Sequence, residues 1–135
     1  MRKGPGVDVV CSVYDYHPIE KADTVLCLET MEHVEFTRSA VDNMKSMLKP
    51  EGVFVMTTHQ NFDTHSHPSD YWRFTEYGIE HLVRYFDTKI IFKGGADLNP
   101  HTVGCVAWPT NGISNETFNR AMNCVREAGM SGRVA

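Results

Sequence analysis

The sequence lacks any long apolar run: its longest uninterrupted hydrophobic stretches are about one strand long, far short of the roughly 18 residues that a membrane-spanning helix needs. No basic stretch precedes an apolar one at the N-terminus, so no leader is expected either. Basic residues are few and scattered, 13 in a chain of net charge −4, which excludes the electrostatic stripe by which proteins release counterions from a nucleic-acid backbone. A small-molecule or protein partner is therefore the expectation. Cysteines number only 4, at Cys11, Cys27, Cys105 and Cys124, and no two have the short spacing of a zinc ribbon or a redox motif. They read as small buried hydrophobes of a protein in the reducing cytoplasm. There is no internal repeat and no low-complexity segment.

What the chain does have is an ordinary soluble composition, 41% hydrophobic over 135 residues, enough for one domain with its own core. VDVVCSV, residues 7–13, is rich in β-branched residues and follows a Gly-Pro-Gly turn, which reads as a strand. TVLCL, residues 24–28, is continuously apolar and reads as a strand buried on both faces. Thr37 offers a helix N-cap, and Ala40, Val41, Met44, Met47 and Leu48 recur at helical spacing until Lys49, Pro50, Glu51 and Gly52 end the helix. VFVMTT, residues 53–58, is a third strand. Thr75 caps a second helix with the apolar stripe Ile79, Leu82, Val83 and Phe86. KIIF at 89–92 and TVGCVAW at 102–108 are strands joined through Gly94 and Gly95, and a last helix runs from Asn115 to Glu127 before a loose tail, GMSGRVA. Helix and strand alternate and two strands then follow directly, which is the order of an α/β sheet, mostly parallel, finished by an antiparallel C-terminal hairpin. Residues 1–110 form the domain; 111–135 supply the last helix and tail.

In an open α/β sheet, ligands bind beyond the carboxyl ends of the strands. Three polar clusters stand there: Tyr14 and Asp15, then ETMEHV at 29–34, then the loop after residues 53–58, which contains HSHPSDYWRFT. Together ADTVLCLETMEHV, the amphipathic helix, LKPEGVFVMTT and DYWRFTEYGIEHL resemble the class I S-adenosylmethionine-dependent methyltransferases, of the small-molecule type with a LEHV-like signature after the fourth strand. The resemblance runs from about Val7 to Trp108. It implies an incomplete Rossmann-like methyltransferase sheet, S-adenosylmethionine as cofactor, and methyl transfer to a small-molecule or protein acceptor.

Residue by residue, the resemblance implies that Ser12 and Val13 match the positions that meet the adenine, where the family usually has an Asp in place of Ser12; Asp15 stands nearby. Leu28 and Glu29 match the turn against the methionine part of the cofactor, and His33 matches a histidine beside the site. The family's glycine-rich first loop, which follows a strand and opens a helix, has no counterpart: Gly4 to Gly6 precede a strand. The chain thus resembles the C-terminal two-thirds of such a domain, an enzyme when completed by the missing elements. The rival reading is a methyltransferase-like module that has lost the cofactor loop and serves binding or assembly. Removing two strands between residues 7–13 and 24–28 would leave an unpaired apolar edge, with three remedies: the strands come together, two chains pair edge to edge as a homo-oligomer, or a separate piece completes the sheet.

The loop at 65–75 supports three readings. His65 and His67 with His59 could share an ion, but no carboxylate or cysteine stands at a diagnostic spacing, so no metal is assigned. Trp72 and Phe74 could be satellite core, with Arg73 solvated or paired to Asp70. As the lip of an acceptor pocket, Tyr71 would hydrogen-bond the acceptor and Arg73 would pair with an anionic group. His33 is either a general base for the acceptor or a group that orients it. Glu29 and Glu32, on a turn, read as solvated or helix-capping.

Overall fold

In the computed structural model, which describes residues 4–135, the apolar run TVLCL lies within β1 (Ala22–Leu28). A single 3-10 turn (Met31–His33) leads to α1 (Thr37–Ser46), and β2 (Leu48–His59) returns beside β1. Then come α2 (Glu76–Leu82), the hairpin β3 (Thr88–Ala96) and β4 (Asn99–Trp108), α3 (Asn115–Glu127) and β5 (Ser131–Val134). The sheet order is β1-β2-β4-β3-β5. β1 and β2 are parallel through a helical crossover, while β4 is antiparallel to both β2 and β3, and β5 is antiparallel to β3. Three strands, β1, β2 and β3, therefore share one direction. The result is the α/β sheet expected, parallel at its start and antiparallel after it.

Alternation in β2 sets the two layers. Phe54, Met56 and Thr58 are fully buried, whereas the residues between them are half-buried on the opposite face. On the first face, α1 contributes Ala40, Val41 and Met44 and α2 contributes Ile79 and Leu82, closing over Phe54, Met56, Ile91, Val103 and Cys105. On the second, α3 lays Phe118, Ala121, Met122 and Val125 against Ile90, Phe92 and Trp108. Thr75 caps α2 as expected, accepting a hydrogen bond from Gly78 N at 3.1 Å, and Ser114 caps α3 by accepting from Thr117 N at 3.1 Å.

Several expectations are corrected. Residues 7–13 form no strand; the segment is irregular, tied down where Asn43 Nδ2 donates to the carbonyls of Val13 at 2.8 Å and Tyr16 at 3.0 Å. β-branched residues favour a strand only where a ladder partner exists, and among the described residues this stretch has none. The first remedy for the open edge is thus not adopted. β1 is not buried on both faces: Leu26 is 62% and Leu28 51% exposed, because among the described residues no helix covers that face. Cys11 and Cys124 are exposed, so only Cys27 and Cys105 fit the buried reading, with burial pushing the Cys27 thiol up to about 11. Thr37 is the first helical residue of α1, and Phe36 occupies the cap without a side-chain bond. The hairpin turns at Asp97 and Leu98, while Gly95, at φ +107, marks an irregularity in the ladder. Finally the tail is not loose: β5 pairs with β3, and Arg133 reaches Glu80 at 2.6 Å and Glu76 at 3.4 Å across to α2.

Candidate functional site

The carboxyl ends of β1 and β2 stand side by side, since Glu29 N still donates to Thr57 O at 2.9 Å beyond the last residue of β1. Glu29 then takes a left-handed φ of 45°, which turns the chain sharply into the Met31–His33 turn. That turn drives Met31 and Glu32 fully into the interior and leaves His33 half-buried at the surface. The long loop after β2 folds back onto the same turn. Tyr71 N and Trp72 N donate to Glu32 O at 2.8 and 3.2 Å, Trp72 Nε1 donates to Val34 O at 2.9 Å, and Phe74 N donates to His59 O at 2.9 Å.

A polar cluster lies under this clasp. Glu32 accepts from Thr58 Oγ1 at 2.7 Å through Oε2, while its Oε1, buried, has no hydrogen-bond partner among the described residues. His59 places Nε2 2.9 Å from Glu29 Oε2 and 3.6 Å from Glu32 Oε1, with its ring stacked on Phe62 at 4.3 Å. His33 Nδ1 lies 2.6 Å from Ser69 O; a carbonyl only accepts, so Nδ1 carries the hydrogen and the neutral ring keeps its lone pair on Nε2, 3.8 Å from Glu32 Oε1. The His65 ring meets the His33 ring edge-on at 4.6 Å.

Of the residues singled out in the sequence, Leu28, Glu29 and His33 thus come together at the rim. Ser12 and Val13 lie apart from them, along a cleft of about 520 Å³ whose walls also include Val25 and Leu26 of β1 and Met44 and Met47 of α1. Ser12 Oγ accepts from Tyr14 N at 3.2 Å, within its own turn. Tyr71 is 47% exposed on the loop. His67 is exposed and outside the cluster.

Arg73 is corrected. Its Nη1 and Nη2 hold the two Asp70 oxygens at 2.7 and 2.9 Å, and the remaining N–H groups donate to the carbonyls of Phe62, Asp63 and Trp72. All five donors of the guanidinium are spent inside the loop, which leaves none for an anionic acceptor. Arg73 is the staple that shapes this loop. Its guanidinium, followed by the His65 amide, holds the Asp70 carboxyl well below the usual carboxylate range. A folded-state value lowered in this way contributes stability above the unfolded value of about 4 and loses it as pH falls below that. Asp70→Asn is accordingly expected to raise the rate of proteolytic cleavage in residues 60–75 severalfold at neutral pH and to flatten its rise in acid, read by limited proteolysis with mass spectrometry.

Sequence reasoning missed Glu32, Thr58 and the partnership of His59 with Glu29. The signal available was the alternation of β2, which puts Thr58 on the buried face beside Phe54 and Met56.

The comparisons with known proteins agree with this architecture. A family described as a methyltransferase domain matches residues 3–90. The ubiquinone biosynthesis O-methyltransferase of Haemophilus ducreyi is 44% identical over 39 residues, 29% of this chain and 16% of that protein. The N-methyltransferase NodS from Bradyrhizobium japonicum WM9, in complex with S-adenosyl-L-homocysteine, superposes with a TM-score of 0.52 at 19% identity, covering 74% of this chain and 53% of that one. The second likeness is one of fold. This chain spans about half the length of NodS, and its match to the O-methyltransferase is shorter still.

Proposed function

Because the chain belongs to the methyltransferase domain family, we propose that it forms one wall of an S-adenosylmethionine site and serves methyl transfer to an acceptor bearing a protonated oxygen or nitrogen. The observation that carries this reading is the convergence of Leu28, Glu29 and His33 on the carboxyl rim of β1 and β2, where open α/β sheets receive ligands.

The residues present fit the cofactor from one side. The cleft of about 520 Å³ has the size of a small-molecule site and largely apolar walls, suited to a purine, and Ser12 keeps its hydroxyl hydrogen free to bond a ring nitrogen. Val13 lines the same cleft; Leu28 and Glu29 would lie toward the methionine part. When bound, the cofactor supplies a sulfonium-activated methyl group. The chain's own contribution is to align the acceptor and accept its proton, since in-line displacement depends chiefly on proximity and orientation. His33 Nε2, the ring nitrogen with the lone pair, is the proton acceptor, and Ser69 O fixes the ring that carries it. Tyr71, exposed on the clasped loop, is placed to bond the acceptor. β1 ends the sheet order, so its open edge is where a further strand would complete the opposite wall.

Isothermal titration with S-adenosyl-L-homocysteine in the presence of EDTA, beside thermal melts with and without it, tests the reading. Saturable heat with a matching rise in melting temperature is expected, because a ligand that binds only the folded state stabilises it. A folded sample with neither response would overturn it.

A further inference from the structure

We propose that Glu29, Glu32 and His59 form a binding site for a divalent first-row transition-metal ion at the rim. The inference deepens the reading above, on which it rests only for the nature of the acceptor.

The first argument is charge. Glu32 is fully buried, and a carboxylate that stays ionised there must be paired or bound to a metal. Among the described residues, the only groups able to carry positive charge within salt-bridge reach of Glu29 and Glu32 are the imidazoles of His33 and His59. His59 Nε2 is already 2.9 Å from Glu29, leaving Glu32 Oε1 at 3.6 Å from it and 3.8 Å from His33 Nε2, too long for hydrogen bonds. Hence Oε1 is a buried acceptor without a hydrogen-bond partner among the described residues, lying between two imidazoles.

The second argument is geometry. Ligand atoms at about 2.0 to 2.2 Å from one ion stand about 3 to 3.5 Å from one another. Glu29 Oε2 to His59 Nε2 is 2.9 Å, and His59 Nε2 to Glu32 Oε1 is 3.6 Å. One donor atom from each of the three residues lies within 4.8 Å of the other two. Thr58 Oγ1 fixes Glu32 through its other oxygen, an outer contact of the kind that carboxylate ligands in metal sites receive, while the plane of the His59 ring is held by stacking on Phe62 and its buried Nδ1 has no hydrogen-bond partner among the described residues.

Two carboxylates and one imidazole mix hard and borderline donors, which suits Mn²⁺, Fe²⁺, Co²⁺ or Zn²⁺. Three protein ligands leave positions open, and Glu29, 42% exposed, marks the side on which they open. An ion there would favour acceptors that present a hydroxyl oxygen, as a ligand for those positions.

The experiment is titration of the chelator-treated full chain with Mn²⁺, followed by electron paramagnetic resonance of the free ion and by calorimetry, without cofactor or acceptor. Saturation at one ion per chain is expected, with affinity lowered at least about tenfold by Glu29→Ala, whose side chain is partly exposed, and by Glu32→Gln, which keeps the shape of the buried carboxylate. Thr58→Val, outside the ligand set, should weaken binding by about 10- to 100-fold. Absence of saturable binding in folded protein, or binding unchanged in Glu29→Ala, would overturn the site. Neither result depends on binding of S-adenosyl-L-homocysteine.

Discussion

Gly104→Val is expected to abolish folding: the chain should appear in the insoluble fraction, and any soluble remainder should lack the cooperative melt of the parent. Gly104 faces Thr57 and Phe92 in the ladders of β4 with β2 and β3, at the centre of the five-stranded sheet. A Cβ atom there would collide with the main-chain oxygen of Met56 and stand 2.6 Å from Cζ of Phe92. The phenyl ring can swing; the carbonyl cannot, because moving it breaks the β2–β4 ladder. Overpacking by a single methylene ordinarily costs about 1 to 3 kcal/mol, and a β-branched side chain against fixed backbone exceeds that. Against a typical total of about 5 to 15 kcal/mol, the folded state does not survive. A variant that folds with parental stability would show that β2 and β4 are farther apart than described.

Phe54→Ala should lower stability by about 3 to 5 kcal/mol, read as a lower urea midpoint with little change in slope. Phe54 is fully buried in β2 and stacks on Phe86 with ring centroids 5.4 Å apart, under the cover of α1 and α2. Its removal leaves a void bounded by a sheet and two helices, none of which can collapse without loss elsewhere. The effect would reach the rim, since His59 ends the same strand. Phe54→Leu, which fills most of the space, should cost distinctly less.

How far the site could be read from the sequence depends on which interactions are local. The α3 boundaries and the Thr75 cap were legible because apolar spacing and a capping hydroxyl act within a few residues. Residues 7–13 carry the same local signal as a strand, but a strand is completed only by its neighbour, and Asn43 holds this segment in another path. Arg73 illustrates the limit within the site. Its spacing to Asp70 suggested an ion pair, whereas three of its partners are main-chain carbonyls, which no side-chain pattern reveals. Glu32 looked solvated because carboxylates on turns usually are; the Met31–His33 turn, pulled inward by Met31, reverses that. β5 was invisible because four residues with polar members give no alternation, and it is held by β3 and by Arg133 pairing with α2.

The backbone of Glu29 sets two selective pressures against each other. At φ 45° a glycine would sit more comfortably than any residue with a side chain, by roughly 1 kcal/mol. Laboratory evolution for heat resistance would therefore favour glycine at this position, and each clone that accepted it would lose the carboxylate facing His59. Libraries selected on stability alone would enrich folded chains with an impaired rim, so position 29 should be held fixed while other positions are varied.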